Sequence, residues 1–137
     1  MKISKEFKWE MGHRLPFHSG KCKNIHGHTY KMRLEIDGDL DEYGMVMDYY
    51  DVSFIISPII DELDHSFMVK DSDAEMITFL EKIDSKKVVV PFETTAENIT
   101  LYLLKKVKEK IASKRIKRIK IRVYETEKTY AEDEIEL

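Results

Sequence analysis

The chain has 137 residues, 36% of them charged, and its 23 Lys and Arg against 26 Asp and Glu give a net charge of −3. This length predicts a single domain over residues 1–137, and the charge balance argues against nucleic-acid backbone binding. Because the sequence has no apolar run of about 20 residues, no signal-peptide core and only one cysteine, we expect a cytoplasmic protein without a membrane partner or an internal disulfide.

Two segments near the N-terminus alternate apolar and polar residues, as half-buried β-strands do. The apolar residues of the first segment are Ile3, Phe7, Trp9 and Met11. Those of the second segment are Tyr30, Met32, Leu34 and Ile36. The turn residues Asp37-Gly38-Asp39 end the second predicted strand.

Two longer segments have the spacing of amphipathic helices. The apolar face of the first is formed by Val52, Ile55, Ile56, Ile59, Ile60 and Leu63, and Pro58 within it predicts a kink or a fresh start. The second begins near Thr94-Thr95, with Thr94 and Glu97 as a capping box. Its apolar residues are Ile99, Leu103, Val107 and Ile111.

Shorter patterns complete the chain. A weaker helical patch follows a possible capping box of Ser72 and Glu75, and Val88–Val90 predict a short extended segment. Alternation at residues 119–123 predicts a third strand, and the acidic tail 129–137 a fourth. The order of elements indicates the α+β class, with a four-stranded antiparallel sheet and two main helices on one face.

Three of the five histidines are predicted to converge. His26 and His28 share the side of the second strand that carries Tyr30, because side-chain direction repeats every two residues. His13 has the parity of the apolar residues in the first strand. If the two strands pair, three imidazoles meet at one end of one sheet face. Three neutral imidazoles suit Zn²⁺ and leave its fourth position open, as in catalytic sites. Gly27 would let the backbone bend between two of the ligands.

Cys22 and the Asp64-His65 pair are candidates for proton transfer. Cys22 lies between Lys21 and Lys23, whose charges favour the thiolate. Two alternatives exist for this cysteine: it could be a small buried apolar side chain, or it could be a fourth zinc ligand. Asp64 can orient the adjacent imidazole of His65 and stabilise its charged form. Capping of the preceding helix would explain the same two residues equally well.

Glu125 places a carboxylate on a face that should be apolar. It continues the parity of Ile121 and Val123, and a buried carboxylate is costly without a partner. A planar ring edge with two N–H donors, as in guanine or pterin, would satisfy it. The alternative is that the strand ends before Thr126 and leaves Glu125 in solvent. Thr95 could offer its hydroxyl or backbone to the same ligand.

Several short motifs follow one another along nearly the whole chain. They are Phe7-x-x-x-x-Gly12-His13-Arg14-Leu15, Lys21-Cys22-x-x-x-His26-Gly27-His28-x-Tyr30, Leu63-Asp64-His65, Thr94-Thr95-Ala96-Glu97-Asn98 and Tyr124-Glu125-Thr126. In combination they resemble the 6-pyruvoyl-tetrahydropterin synthase family. The three-residue spacer between Cys22 and His26 is similar to the 6-carboxytetrahydropterin synthase branch, which serves 7-deazaguanine (queuosine or archaeosine) synthesis.

The resemblance implies a tunnelling fold that assembles into barrels, as trimers stacked into hexamers with active sites between subunits. It implies zinc on three residues, which are His13, His26 and His28. It also implies a proton-transfer set, which is Cys22, Asp64 and His65. The pterin ring would be held by Glu125, with Thr94 and Thr95 as further substrate-binding residues.

The implied substrate is 7,8-dihydroneopterin triphosphate, converted to 6-carboxy-5,6,7,8-tetrahydropterin with release of acetaldehyde and triphosphate. Arg14, Lys21 and Lys23 are candidate triphosphate contacts. Three alternatives remain: a pyruvoyl synthase that eliminates triphosphate without breaking a carbon–carbon bond, an enzyme that cleaves dihydroneopterin to a hydroxymethylpterin, and a non-catalytic zinc- or pterin-binding module. The stretch Val69–Val90 is longer than expected for compact members, so the substrate entrance is expected to differ.

Overall fold

The computed structural model describes residues 1–111 and 113–137. Six strands are found within these residues: β1 (Lys2–His13), β2 (His26–Gly38), β3 (Ser66–Lys70), β4 (Lys87–Val90), β5 (Ile116–Thr126) and β6 (Thr129–Glu136). The same residues form three α-helices: α1 (Tyr49–Leu63), α2 (Ala74–Lys82) and α3 (Ala96–Lys110). All six strands join one sheet in the order β4-β3-β1-β2-β5-β6.

The predicted antiparallel strands form the larger part of this sheet. β1 and β2 pair along their whole length, from Lys2 opposite Asp37 to His13 opposite His26. β5 pairs antiparallel with the other side of β2, and β6 continues the sheet beyond β5. The three alternating segments and the acidic tail are therefore confirmed as strands.

The expected count of four strands, all antiparallel, is wrong. β3 pairs parallel with β1, and β4 pairs parallel with β3, so the sheet has six strands and is mixed. β3 has only five residues, whose burial does not alternate, and it therefore lacks the period-two pattern. α2 covers this edge through a small cluster of its own, formed by Val69, Met76 and Leu80 with Phe67 and Ile77 packed against it.

The main core lies between one face of the sheet and the helices α1 and α3. Trp9, Tyr30, Leu34 and Ile121 contribute from the strands, each at most 2% exposed. The predicted apolar faces of both long helices pack against them, and this burial is the main favourable contribution to folding. Among the described residues, no helix is both long and apolar enough to cross a membrane.

Pro58 lies inside α1, which runs from Tyr49 to Leu63 as one helix, so of the two expected alternatives, a kink or a fresh start, the fresh start is wrong. Proline costs about 3 kcal/mol within a helix because one backbone hydrogen bond is lost. The burial of Ile56, Ile59 and Ile60 on the same helix offsets that cost, at about 1.5–3 kcal/mol for each buried side chain.

Both helix caps predicted from the sequence are displaced by one residue. Asp48 caps α1 by accepting a hydrogen bond from the Tyr50 backbone N–H at 2.8 Å. α3 is capped by Thr95 instead of Thr94, and α2 by Asp73 instead of Ser72. Each helix begins one residue later than the predicted capping box required, and this shift frees Thr94 to contact His13.

Candidate functional site

The paired ends of β1 and β2 bring three imidazoles together. His13 lies opposite His26, and His28 lies opposite Met11, two residues along the same ladder. Ring centroids are 4.6 Å apart for His13 and His26, 5.2 Å for His13 and His28, and 4.9 Å for His26 and His28. One ring nitrogen from each residue lies within 4.8 Å of the other two. The predicted convergence is confirmed.

Gly27 acts by close approach and not by bending the chain. It lies within β2, directly opposite Gly12 of β1. A Cβ atom at Gly27 would come within 3.1 Å of the Met11 carbonyl oxygen. The expected tight bend between the ligands is therefore wrong: the backbone stays extended there, so His26 and His28 remain on one face.

Backbone carbonyls orient two of the three rings. His13 Nδ1 donates to the Thr94 carbonyl oxygen at 2.8 Å, and His26 Nδ1 donates to the Asn24 carbonyl oxygen at 2.7 Å. Because a carbonyl only accepts, a neutral ring in this position carries its proton on Nδ1 and has a free lone pair on Nε2. The Nε2 atoms of His13 and His28 are buried without a hydrogen-bond partner among the described residues.

Burial favours the neutral form of His13 and of His28. It lowers the pKa of His13 from 6.5 to about 4, against the opposing effect of the Thr94 hydrogen bond, and the charges of His26 and His28 lower it further. Burial also lowers the pKa of His28, against the opposing charge of Glu125. Metal ions bind the neutral imidazole, so burial favours in His13 and His28 the protonation state that metal binding requires.

The carboxylate of Glu125 reaches the same group. Its Oε1 atom lies 3.3 Å from His13 Nε2 and 3.5 Å from His28 Nε2. The side chain is 26% exposed and belongs to β5, so the alternative of a strand that ends before Thr126 with Glu125 in solvent is wrong. With its proton on Nδ1, His13 presents only a lone pair at Nε2, and the Glu125 oxygen that faces it is also an acceptor. The two atoms can interact favourably only if a positive charge lies between them. A divalent cation would supply that charge, so the residues present fit a metal ion.

Tyr30 is a site residue that sequence reasoning placed only in the core. Its hydroxyl donates to Glu125 Oε1 at 3.5 Å, and its ring stacks on Trp9 with centroids 5.2 Å apart. Burial raises the pKa of Tyr30, and the charge of Glu125 raises it further, so the hydroxyl stays a donor. The shared parity of His28 and Tyr30 was the available signal.

Thr94 and Thr95 have different environments. Thr94 is 1% exposed, and besides its carbonyl contact its Oγ1 atom lies 3.2 Å from His13 Nδ1. Thr95 is half-buried and accepts a hydrogen bond from the Asn98 backbone N–H at 3.3 Å. Thr94 thus supports a histidine from behind, while the Thr95 hydroxyl keeps its own proton to donate.

Asp64 and His65 form a second, exposed group at the end of α1. Asp64 Oδ2 lies 3.0 Å from His65 Nδ1, and the His65 side chain is 77% exposed. The Asp64 Oδ1 atom accepts from the Glu10 backbone N–H at 2.8 Å, and the His65 N–H donates to the Glu10 carbonyl at 2.7 Å. The Glu10 N–H, followed by the His65 contact, lowers the pKa of Asp64. A charged carboxylate therefore orients the ring, and Asp64 is also the C-cap of α1.

Cys22 lies in a single helical turn, Lys21–Lys23, between β1 and β2. Its carbonyl accepts from the Leu15 N–H at 2.8 Å, and its half-buried thiol is free. The metal-ligating group found in the described part of the chain does not include Cys22.

Of the three candidate triphosphate contacts, Arg14 is already paired. Its Nε donates to Asp73 Oδ2 at 2.8 Å and its Nη2 to Asp73 Oδ1 at 2.6 Å. The contact of Arg14 with triphosphate stays a prediction, and its guanidinium is also held by this carboxylate. Lys21 and Lys23 are exposed.

One shallow cavity of about 380 Å³ borders one residue of each group. His28 and His65 both line it, together with Glu10, Thr29 and Ser66. A small molecule in this cavity would lie against His28 on one side and His65 on the other.

A family model described as 6-pyruvoyl tetrahydropterin synthase matches residues 2–136. The 6-carboxy-5,6,7,8-tetrahydropterin synthase of Haemophilus influenzae is 40% identical over 139 residues, covering 96% of both chains. The protein of that name from Aquifex aeolicus is 33% identical over 155 residues, again covering 96% of both chains. A solved catalytic-residue mutant of Plasmodium vivax 6-pyruvoyltetrahydropterin synthase matches with a TM-score of 0.81 at 17% identity, covering 100% of this chain and 98% of that one.

Proposed function

The chain belongs to the 6-pyruvoyl tetrahydropterin synthase family and has its tunnelling fold, and we propose that it is a 6-carboxytetrahydropterin synthase. The substrates are 7,8-dihydroneopterin triphosphate and one water molecule, and the products are 6-carboxy-5,6,7,8-tetrahydropterin, acetaldehyde and triphosphate. The observation that carries the proposal is the set of three converging imidazoles with Glu125 beside them, in a chain 40% identical to a relative named for this activity.

His13, His26 and His28 would hold Zn²⁺. Three imidazole nitrogens are a donor set of catalytic zinc sites, and a bound zinc ion supplies Lewis acidity toward oxygens of the substrate side chain. The Thr94 and Asn24 carbonyls fix the ring orientations before the substrate arrives. Such outer contacts typically change metal affinity or activity by about 10- to 100-fold.

Glu125 binds the pterin ring in this proposal. Its carboxylate is a pure acceptor, and the pterin edge offers two N–H donors at matching spacing. Thr95 is the better placed of the two threonines to contact the ring, because its hydroxyl proton is free to donate. Thr94 acts behind His13 and contributes to substrate binding through that ring.

Cys22 and His65 exchange protons with the substrate side chain. Cys22 as thiolate takes a proton, and His65, oriented by Asp64, is the complementary acid–base group. A working acid–base pair is normally shielded from bulk water, and the His65 side chain is 77% exposed in the isolated chain. We propose that a second copy of the chain covers it, in a trimer or hexamer with active sites between subunits. Each copy contributes residues 1–137 as one domain.

The reaction would serve 7-deazaguanine precursor synthesis. A free thiol as a proton-transfer group suits a reducing compartment, which is consistent with the cytoplasm. The partners are then the pterin triphosphate and further copies of the chain, with no nucleic acid or membrane involved. Lys21, Lys23 and Arg14 are the triphosphate candidates, and of the three Arg14 is also paired with Asp73.

Product identification tests the proposal. Zinc-loaded protein given 7,8-dihydroneopterin triphosphate is expected to yield acetaldehyde and the carboxypterin by mass spectrometry, while metal-stripped protein yields neither. A pyruvoyl product would replace the proposed activity with triphosphate elimination alone. Unchanged substrate in the presence of bound zinc would favour a binding module.

A Cys22→Ala variant separates proton transfer from metal binding. The proposal expects it to keep its zinc and lose turnover, because a methyl group cannot accept a proton. Loss of zinc from the variant would instead make Cys22 a ligand.

A further inference from the structure

The Tyr30 ring is held rigidly beside the imidazole cluster. It is fully buried and stacks on Trp9 with an interplanar angle of 11°. It meets the edge of His28 at a centroid distance of 5.4 Å and that of His13 at 6.2 Å. Contacts on several sides leave the ring one position, so its hydroxyl is fixed in space.

That hydroxyl has one partner among the described residues, the carboxylate of Glu125. It donates to Oε1 at 3.5 Å, and a phenol has a single proton to give. A polar group buried inside a core usually has a reason to be there, because its desolvation is costly. For packing alone, phenylalanine would fill the same space as the Tyr30 ring, so the hydroxyl is the group that needs an explanation.

Glu125 needs such a restraint. Its Oε1 atom lies close to two imidazole nitrogens, at 3.3 Å from His13 and 3.5 Å from His28. Its long side chain has several rotatable bonds, and holding it in one geometry costs conformational entropy. A fixed donor on Oε1 lowers that cost and leaves the other acceptor sites of the carboxylate for a ligand.

We propose that Tyr30 is a positioning residue, whose hydroxyl fixes the Glu125 carboxylate for binding the pterin ring. The inference rests on the proposed function in one respect, namely that the ligand of Glu125 is a pterin. Tyr30 acts through Glu125 and does not touch the reacting atoms.

The test compares Tyr30→Phe with a matched control on the opposite face of the sheet. Tyr124 carries a hydroxyl that accepts from Arg122 at 3.0 Å, so Tyr124→Phe removes the same atom away from the site. The probe is 7,8-dihydroneopterin, which lacks the triphosphate leaving group, titrated into zinc-loaded protein. Tyr30→Phe is expected to weaken binding about tenfold with unchanged zinc content. Tyr124→Phe is expected to bind as the unaltered protein does.

Turnover and coupling distinguish positioning from general damage to the core. With the triphosphate substrate, Tyr30→Phe should raise KM by about the same factor and leave kcat within about twofold. In a Glu125→Gln background, Tyr30→Phe should have less than about a twofold further effect on binding. An equal tenfold loss in both backgrounds would overturn the inference, because Tyr30 would then act independently of Glu125.

The outcomes also separate this inference from the function it rests on. If the unaltered protein binds no pterin, the proposed function fails and the inference fails with it. If the unaltered protein binds the pterin and Tyr30→Phe binds equally well, the inference alone is overturned.

Discussion

Two histidine-bearing regions of the molecule differ in how complete they are. His13 is 1% exposed and lies in a cluster whose members all come from β1 and β2. His65 is 77% exposed and has Asp64 as its partner. All three histidines of the cluster lie within one chain, whereas the ring of His65 is open to solvent. Under the proposed function, a single chain would therefore bind the metal, and turnover would require something further to cover His65.

The backbone explains this difference. The cluster lies at the end of a twelve-residue strand, β1, whose ladder with β2 fixes every ligand. His65 follows the last turn of α1 with a φ of 60°, a conformation that costs a non-glycine residue about 1–3 kcal/mol. The two hydrogen bonds to the Glu10 backbone hold it there. The backbone of His65 is therefore fixed, while its ring remains open to solvent.

The largest expected effect comes from breaking the buried cluster. His28→Ala removes one of three ligands, so metal content should fall from one ion per chain to near zero. Activity should fall about 10³-fold or more, because each 1.36 kcal/mol of lost transition-state stabilisation is tenfold in rate. Elemental analysis and steady-state kinetics measure both. His18→Ala, a loop histidine outside the cluster, is the control, and full metal content in His28→Ala would contradict the assignment.

The second prediction concerns the exposed pair. His65→Asn should keep the metal and lower kcat by about 10²–10⁴-fold, the usual contribution of an acid–base group. Metal content and kcat measured on one preparation give both readouts. A variant that loses metal together with activity would remove the distinction between the two regions.

The third prediction uses the pKa of His13 in metal-free protein. Burial lowers that pKa to about 4, so the unfolded chain binds more protons between pH 6.5 and 4. Stability is therefore full above about pH 6.5 and falls as the pH drops toward 4, by up to about 3 kcal/mol from this residue. Urea unfolding at several pH values measures the slope. His13→Leu should flatten it relative to a His18→Leu control, and equal slopes would contradict the account.

The smallest expected effect lies beside the cluster. Asp73 pairs with Arg14 and caps α2, so Asp73→Asn should lower the free energy of unfolding by about 1–2 kcal/mol. Metal content should not change. Asp71→Asn, at an exposed neighbouring position, is the control in the same urea titration. A loss of metal in Asp73→Asn would contradict this prediction and would show that the start of α2 contributes to metal binding.

The parity of His13, His26 and His28 predicted their convergence, because alternation along paired strands decides which side chains meet. The role of Thr94 could not be predicted in the same way, since its closest contact uses a backbone carbonyl that every residue has. The Arg14–Asp73 pair joins positions 59 residues apart, and no local pattern indicates such a partner.

The β3–β4 edge of the sheet could not be predicted from local sequence patterns either. β3 has five residues between two helical segments, too few to show a period. Parallel pairing with β1 depends on how α1 packs, which is decided by the whole core. The capping shift at Thr95 has a similar cause, since one residue of difference in the start of a helix is below what the sequence pattern resolves.

X-ray absorption at the zinc edge of the zinc-loaded protein tests the central claim most directly. We expect a spectrum with nitrogen and oxygen neighbours only. A sulfur neighbour, which would lie at about 2.3 Å from zinc, should be absent. We also expect that the spectrum changes when a pterin with side-chain hydroxyls is added, since one position is open. A sulfur neighbour, or a spectrum that the pterin leaves unchanged, would contradict an open centre built from His13, His26 and His28.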